Sequence, residues 1–247
     1  MQIPPFDHAS PLELLQWAMD KFGSRFAIST SFQKEGMVLI DMAARINPQV
    51  RILSLDTGRL PPETYEIVET VRQRYGVRVE MVSPDAGEVA AMVTQHGPNL
   101  FYGGLPERKL CCHVRKVRPF ERKLKELDAY AVGLRRDQST ERESVTPVTE
   151  IDGKLKLSPL AAWTATQVEK YLAEHEVPLH PLYAKSYTSI GCAPCTRATL
   201  PGEAERAGRW WWEEGLDKEC GLHFTPEGKI VRRVDVLLHD VLRQSNA

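Results

Sequence analysis

The fold is indicated by one stretch of the chain, RFAISTSFQKEGMVLIDMAA (residues 25–44). Residues 25–30 have the composition of a short strand, and residues 37–44 repeat apolar side chains at helical spacing. Between them, serine hydroxyls, loop amides and a helix N-terminus would converge on one point, which is the geometry of an anion site. The stretch predicts a strand–turn–helix unit. Its turn, residues 29–36, is either an ordinary connection or a phosphate or nucleotide site.

Strands and helices alternate along the rest of the chain. Strands separated by helices predict an α/β fold, a mostly parallel sheet with helices on both faces. The second strand ends in Asp56-Thr57-Gly58, on the rim of the sheet where doubly wound folds bind ligands. The further strands are predicted at 51–57, 78–83, 129–134 and 154–160, and the helices at 10–22, 61–75, 86–95, 115–127, 164–174, 202–213 and 229–243.

Length and composition narrow the class of protein. A chain of 247 residues is long enough to bury a core without disulfides. Its formal net charge of -1 argues against a nucleic-acid binder, which would carry a basic excess. Five cysteines favour a reducing compartment with metal-binding or catalytic thiols. Because no secretory leader or long apolar window is evident, we expect a cytoplasmic protein without a membrane partner.

Four of the five cysteines form two pairs, Cys111-Cys112 and the Cys192 and Cys195 of a Cys-x-x-Cys. Neighbouring Cα atoms lie about 3.8 Å apart, below the roughly 4.4–6.8 Å of an unstrained disulfide, so the adjacent pair is a poor disulfide. Four thiolates from the two pairs could converge on one metal centre. Both an iron–sulfur cluster and a structural zinc ion accept four cysteine sulfurs.

Basic residues gather around the cysteines. Lys116 follows the adjacent pair, Arg142 lies in a polar loop, and Arg206 and Arg209 would share one face of the helix predicted at 202–213. A solvated helix face explains any single arginine. The clustering, against a net charge near zero, favours a multiply anionic small ligand that takes forked donors from arginine.

The fifth cysteine, Cys220, lies between Lys218 and His223. If these positive charges are near, they would stabilise its thiolate and raise its reactivity at neutral pH. An inert buried thiol is the alternative, although the charged flanks are unlike those of a core segment. A nucleophile is therefore a competitive interpretation.

Seven segments together resemble the assimilatory adenylyl-sulfate (APS) reductases, which belong with the phosphoadenylyl-sulfate (PAPS) reductases. The segments occur in order between residues 29 and 223, so the resemblance covers most of the chain. They are STSFQKEG (29–36), LDTGRLP (55–61), CCHVRK (111–116), RRDQS (135–139), GCAPCT (191–196), RAGRWW (206–211) and ECGLH (219–223).

The resemblance implies an adenine nucleotide α-hydrolase-like (PP-loop) fold. It implies one 4Fe-4S cluster per chain, on Cys111, Cys112, Cys192 and Cys195, and Cys220 as the nucleophile. Residues 1–215 would form the reductase domain with the iron–sulfur site. Residues 216–247 would form a catalytic-cysteine segment and a helix, in the same domain or as a mobile tail. The implied substrate-binding residues are Ser29, Thr30, Ser31, Phe32, Gln33, Asp56, Thr57, Gly58, Lys116, Arg142, Arg206, Arg209 and His223.

The activity that the resemblance implies is reduction of adenylyl sulfate to sulfite and AMP, in sulfate assimilation and cysteine biosynthesis. The reaction would pass through an S-sulfocysteine on Cys220, with thioredoxin or glutaredoxin as reductant. The resemblance is also compatible with a homo-oligomer. Three alternatives stay open: PAPS or dual specificity, an ATP-pyrophosphatase-type RNA-thiolating enzyme, and a non-enzymatic four-cysteine zinc module. PAPS-specific enzymes lack the four cluster cysteines, which favours APS.

Overall fold

The computed structural model describes residue 6 and residues 9–139, 142–213 and 229–245. The chain divides into two compact units. Unit 1 consists of Met1–Ser54, Pro62–Met81 and Leu124–Lys185, and unit 2 of Leu55–Pro61, Val82–Lys123 and Ser186–Ala247. Each unit has its own cluster of buried apolar side chains.

Unit 1 contains a six-stranded sheet, except that the last residues of two strands, Leu55 and Val82, belong to unit 2. The order across the sheet is β3-β2-β1-β4-β6-β5. β1 pairs in parallel with β2 and β4, β4 pairs in parallel with β6, and β5 runs antiparallel to β6. The predicted mostly parallel sheet is confirmed, and the antiparallel β5 is an addition. The strands are β1 Phe26–Ser29, β2 Arg51–Leu55, β3 Val79–Val82, β4 Ala129–Val132, β5 Val148–Ile151 and β6 Lys154–Leu157.

Eight α-helices are described. Local signals set several of their ends: Ser10 and Glu13 form a reciprocal capping box at the start of α1, and Thr164 and Gln167 form another at α7. In the described part of the chain, no helix combines the length and apolar character that crossing a membrane requires. The helices are α1 Pro11–Phe22, α2 Lys34–Ile46, α3 Pro62–Tyr75, α4 Ala86–His96, α5 Leu105–Cys112, α6 Arg118–Leu124, α7 Ala165–Glu174 and α8 Lys229–Ser245.

The strand order reverses at β1. The chain proceeds from β1 to β2 and β3 on one side, and then returns to place β4 on the other side. Ser29 lies in register with Val132, so β1 and β4 end at the same level of the sheet. In open α/β sheets the crevice beyond such a reversal is the usual ligand site. In unit 1 this point is occupied by the turn after β1 and the loop after β4.

Unit 2 contains α4, α5 and α8, and α8 packs against both α4 and α5. Its core includes Met92, Leu110, Trp210 and Val241, and three of the cysteines. The helix predicted at 202–213 is wrong, because this segment forms turns, and Arg209 makes an isolated bridge with Thr196. The segment's backbone pairs instead with residues 195–197, since the Arg197 N–H donates to the Gly208 carbonyl at 3.0 Å and the Trp210 N–H donates to the Cys195 carbonyl at 3.2 Å. Gly208 allows this approach, because an added Cβ would lie 2.3 Å from the Arg197 carbonyl oxygen.

Gly133 allows a close approach of two backbones in unit 1. It follows β4 directly, and a Cβ built on it would lie 2.7 Å from the Cβ of Glu35 and 3.0 Å from the amide nitrogen of Gly36. Both atoms belong to the first turn of α2 and can move little. Only glycine therefore lets the start of α2 rest on the end of β4.

We expect Gly133→Ala to lower the free energy of unfolding by about 1–3 kcal/mol, since overpacking forces the backbone to shift. Urea denaturation measures the change. Gly87→Ala is the control, because Gly87 lies in the first turn of α4 and its nearest neighbour to an added Cβ is a side-chain oxygen of Asp85 at 3.2 Å. Alanine there should change stability by no more than about 1 kcal/mol. Equal losses in the two variants would contradict this role of Gly133.

Candidate active site

The turn after β1 is braced by two buried residues. Phe32 is fully buried and has a φ of 56°, an uncommon value for a bulky residue. Its N–H donates to Thr30 Oγ1 at 2.9 Å. Gly36 packs against the same threonine, since a Cβ there would lie 2.2 Å from Oγ1. Thr30 and Phe32 therefore shape the turn, whereas Ser31 is exposed and Gln33 half-buried.

The N-terminus of α2 is partly satisfied from within unit 1. The Lys34 N–H donates to the Tyr183 hydroxyl at 3.2 Å, and Lys34 Nζ pairs with Glu169 at 2.9 Å. The first N–H groups of a helix have no intrahelical acceptor, and together with the helix dipole they favour an anion. Tyr183 takes one of these donors and so helps to fix the start of α2.

A buried ion pair joins the first turn of α2 to the loop after β4. Arg135 Nε donates to Glu35 Oε1 at 2.8 Å, and the two residues are 3 % and 8 % exposed. Gln138 Oε1 accepts from the Arg135 N–H at 3.1 Å and from Arg142 Nη1 at 2.6 Å. Asp137 also pairs with Arg135. Hydrogen bonds thus connect Arg142, predicted to bind sulfate, to the turn predicted to bind the nucleotide.

The four cysteines of the two sequence pairs, Cys111-Cys112 and Cys192 with Cys195, line a single cavity of unit 2. Among the described residues no disulfide joins them, and all four are 7–9 % exposed. Cys111 and Cys112 end α5 and are followed by a π-helical turn, His113–Val117, a feature often found at functional sites. Cys192 and Cys195 lie in a tight turn in which the Cys195 N–H donates to the Cys192 carbonyl at 2.9 Å.

Positive charge and hydrogen-bond donors surround this cavity, which is also lined by Arg59, Arg108, Arg115, Lys116 and Trp210. Arg115 Nη1 donates to the Thr57 carbonyl at 2.7 Å, and Thr57 Oγ1 lies 3.2 Å from Cys192 Sγ. Arg115 Nε and Trp210 Nε1 are buried without an acceptor among the described residues. Buried donors of this kind require a partner, so they point to an acceptor-rich occupant.

The thiols differ in how readily they ionise. Burial, reinforced by the other cysteines, raises the pKa of Cys111 and of Cys195 to about 12. Burial also acts to raise the pKa of Cys192, but Lys116, the hydrogen bond from Thr57, Arg209 and Arg115 together hold it below its ordinary value. Four thiolates in one buried place therefore need a compensating positive charge, as a bound metal centre supplies.

Four cysteines are a donor set that an iron–sulfur cluster or a zinc ion accepts. Within the described residues, no group of three or more His, Cys, Asp or Glu side chains could hold one metal ion. A zinc ion needs its four sulfurs about 2.3 Å from one atom. A cluster is itself an extended group that four cysteines hold from different sides. Four buried thiols, cationic neighbours and two donors without acceptors fit such a sulfide-rich group.

The chain matches a known protein family over most of its length. Residues 25–198 match the phosphoadenosine phosphosulfate reductase domain. The adenosine 5'-phosphosulfate reductase of Pseudomonas aeruginosa is 44% identical over 223 residues, which cover 87% of this chain and 82% of that protein. The chain belongs to the APS/PAPS reductase family. The resemblance read from the motifs is thereby confirmed.

Two further relatives extend the comparison. 5'-adenylylsulfate reductase 3, chloroplastic, of Arabidopsis thaliana is 45% identical over 88% of this reductase, which spans only 49% of that protein's length. The crystal structure of phosphoadenylyl-sulfate (PAPS) reductase from Candida auris, a phosphate complex, superimposes with a TM-score of 0.64 at 27% identity. It covers 77% of this chain and 91% of that chain. The expected nucleotide-binding α/β fold is confirmed.

The predicted site residues of this reductase divide into three groups. Those of the first turn and Arg142 belong to unit 1, and those around the cysteine cavity to unit 2. Cys220 and His223 lie outside the described residues. Unit 1 holds Ser29, Thr30, Ser31, Phe32, Gln33 and Arg142, and unit 2 holds Asp56, Thr57, Gly58, Cys111, Cys112, Lys116, Cys192, Cys195, Arg206 and Arg209.

The sequence does not reveal several contacts of the site. Glu35 and Arg135 stand inside quoted motifs, but their pairing over 100 positions has no local signal. Arg108 and Glu213 likewise pair over a long separation. Gly191 precedes Cys192, and its role is steric: a Cβ there would lie 2.4 Å from Arg209 Nη2. The sequence indicates this residue only through its position directly before the Cys-x-x-Cys motif.

We expect Arg135→Met to lower the free energy of unfolding by about 3–5 kcal/mol, because Glu35 would remain buried without its cation. Urea denaturation measures the loss. The double variant Glu35→Met/Arg135→Met should recover most of it, since replacing a whole buried pair by apolar residues is often neutral. The exposed pair Arg72 and Glu69 provides a control, and Arg72→Met should cost about 1 kcal/mol or less. A double variant no more stable than Arg135→Met would refute the argument.

Proposed function

We propose that this reductase converts adenylyl sulfate to sulfite and AMP, with a thioredoxin-type dithiol as the electron donor. The cavity lined by four buried cysteines is the observation that carries the proposal, because PAPS-specific enzymes lack this cysteine set. The names of the bacterial and plant relatives support the same substrate. The proposal includes a role in sulfate assimilation.

The proposed binding groups have distinct tasks. In unit 1, the accessible Ser31 and Gln33 side chains and the N-terminus of α2 would bind the phosphosulfate, since amides at a helix start favour anions. Arg142, oriented by Gln138, would neutralise charge on the sulfate. In unit 2, Lys116, Arg206 and Arg209 would do the same. Among them, Arg209 has a buried Nε without an acceptor in the described residues, as expected of a side chain that binds an anion.

The proposed reaction transfers the sulfonate to Cys220 and then releases it. The Cys220 thiolate attacks the sulfur of adenylyl sulfate, the bond from that sulfur to the bridging phosphate oxygen breaks, and AMP leaves with the electron pair. An S-sulfocysteine remains. A thiolate of the reductant then attacks Cys220 Sγ, and sulfite departs with the bonding pair. The second thiol resolves the mixed disulfide, so the dithiol supplies both electrons.

The described residues give this reaction its electrostatic setting. Cys111, Cys112, Cys192 and Cys195 would hold one 4Fe-4S cluster per chain, which would order the site and set a local field. Because the dithiol supplies both electrons, the cluster would deliver none. Thr57 and Arg115 hold Cys192 and its surroundings in place. Lys116 lines the same cavity, and its charge would act on the thiolates and on an anionic substrate.

The proposal also covers the C-terminal residues and a second candidate substrate. Residues 216–247 would supply the nucleophile segment and α8, as the motif Glu-Cys-Gly-Leu-His suggests. Reduction of PAPS is the second candidate, because the solved relative from Candida auris is a PAPS reductase at 27% identity. The four cysteines favour adenylyl sulfate over it.

We predict that adenylyl sulfate without reductant adds the mass of one SO3 group to the wild-type holoenzyme. Cys220→Ser should show no such adduct, because the nucleophile is absent, and should keep its iron, because the four cavity cysteines remain. Intact mass spectrometry and iron analysis provide the readouts. Retention of substantial sulfite formation by Cys220→Ser would overturn the mechanism.

The same assay tests the choice of substrate. PAPS should label Cys220 more slowly than adenylyl sulfate at equal concentration, and kcat/KM should rank the two in the same order. A preference for PAPS would reject the proposed substrate while leaving the nucleophile in place.

We predict that Lys116→Ala lowers turnover by about 100-fold, the usual effect of removing one charged donor from developing charge. The iron content should stay unchanged, whereas the spectral response of the cluster to adenylyl sulfate should be lost. Lys125→Ala, a change at an exposed lysine, is the control for loss of positive charge. If Lys116→Ala leaves turnover and the spectral response as in the wild type, Lys116 does not couple the cavity to the substrate.

A further inference from the structure

Arg108 is a fully buried cation in unit 2. It lies on α5, is 0 % exposed, and donates from Nε to Glu213 Oε1 at 2.6 Å. Burying an arginine is costly unless its charge is paired and its donors are used. Packing alone would be served as well by an apolar side chain of similar size. The planar guanidinium at this position therefore calls for a specific explanation.

Trp210 provides that explanation, since Arg108 packs on its ring. The Arg108 Cζ lies 4.3 Å from the centre of the indole, and Trp210 is 1 % exposed. The tryptophan has a φ of 42°, a strained value for an aromatic residue. Its backbone is held by a hydrogen bond from its N–H to the Cys195 carbonyl at 3.2 Å. The surroundings must keep this strained residue in place.

The same indole also supports Arg209. The Arg209 Cζ lies 4.5 Å from the ring centre, and Arg209 is 5 % exposed. Its guanidinium rests against the backbone of Gly191 and donates from Nη1 to the Ile190 carbonyl at 3.3 Å. The ring of Trp210 and the backbone at residues 190–191 thus determine where this guanidinium lies. Its Nε remains without an acceptor in the described residues.

We propose that Arg108, oriented by Glu213, is a positioning residue that acts on Arg209 through the indole of Trp210. It holds the strained tryptophan in the one arrangement that directs the Arg209 guanidinium at the sulfonate of the substrate. The inference rests on the proposed function, in which Arg209 binds that sulfonate. Lysine cannot replace Arg108, because an ammonium lacks the planar fork that stacks on a ring while pairing with a carboxylate.

The test compares two ligands that differ in the sulfonate. In holoenzyme that carries Cys220→Ser, so that adenylyl sulfate binds without reacting, Arg108→Lys should weaken binding of adenylyl sulfate by about 5- to 10-fold, which lies between the effects of an exposed and a desolvated cation–π contact. Binding of AMP, which has no sulfonate, should stay within about 2-fold of the wild type. Arg118→Lys alters another arginine–glutamate pair of unit 2, with Glu88, and should change neither affinity. Loss of affinity for both ligands in Arg108→Lys would indicate a merely structural role.

A double-mutant cycle tests whether the effect passes through Arg209. Arg108→Lys/Arg209→Lys should bind adenylyl sulfate as weakly as Arg209→Lys alone, because no guanidinium is left to position. Additive losses would overturn the inference. Glu213→Gln retains both arginines and covers the case in which Arg108→Lys does not fold. It should show the same selective loss.

The outcomes separate this inference from the function on which it rests. Wild-type affinity for adenylyl sulfate in both Arg108→Lys and Glu213→Gln would refute the positioning role alone. A wild-type holoenzyme that binds AMP but not adenylyl sulfate would refute the proposed function, and the positioning role with it.

Discussion

Burial of four thiols in one cavity is the constraint on which unit 2 depends. Thiolates repel one another, and removal from water disfavours each of them, so the pKa values of Cys111 and Cys195 rise to about 12. The surrounding residues provide positive charge and N–H donors. A buried arginine, a strained tryptophan and a π-helical turn are costly features, and they occur together around this cavity. Their joint presence is understandable if the four thiolates and the group that they hold carry a net negative charge together.

Unit 1 depends on a different constraint, the close approach of α2 to the end of β4. Gly133 removes the side chain that would keep the two backbones apart. The pair of Glu35 and Arg135 then links the same two segments by a charge-assisted hydrogen bond. Steric fit and electrostatics thus act at one place, the reversal of strand order. In the proposed function, a site preorganised in this way would need little rearrangement when the substrate anion binds.

The proposed function gives the cysteines two different purposes. A nucleophilic thiol must be accessible and easily ionised, whereas a ligand thiol is held in place by burial and packing. The four cavity cysteines have the second character. Cys220 has charged and glycine-containing flanks, which suit the first. The chemistry proposed for this reductase therefore belongs to the odd cysteine, and the paired cysteines shape the field around it.

The sequence by itself determined the fold class, the family and most elements, because periodicity, capping residues and ordered motifs are local signals. Ser10 and Thr164 mark helix starts, and the strand–turn–helix at residues 25–44 predicts the parallel sheet. The helix predicted at 202–213 failed, since Gly208 and the bridge from Arg209 to Thr196 outweigh helix propensity. Only the tertiary structure decided which charges meet. Glu35 with Arg135, and Arg108 with Glu213, are about 100 positions apart in the chain. No local pattern encodes such pairs, because packing alone brings them within hydrogen-bonding distance.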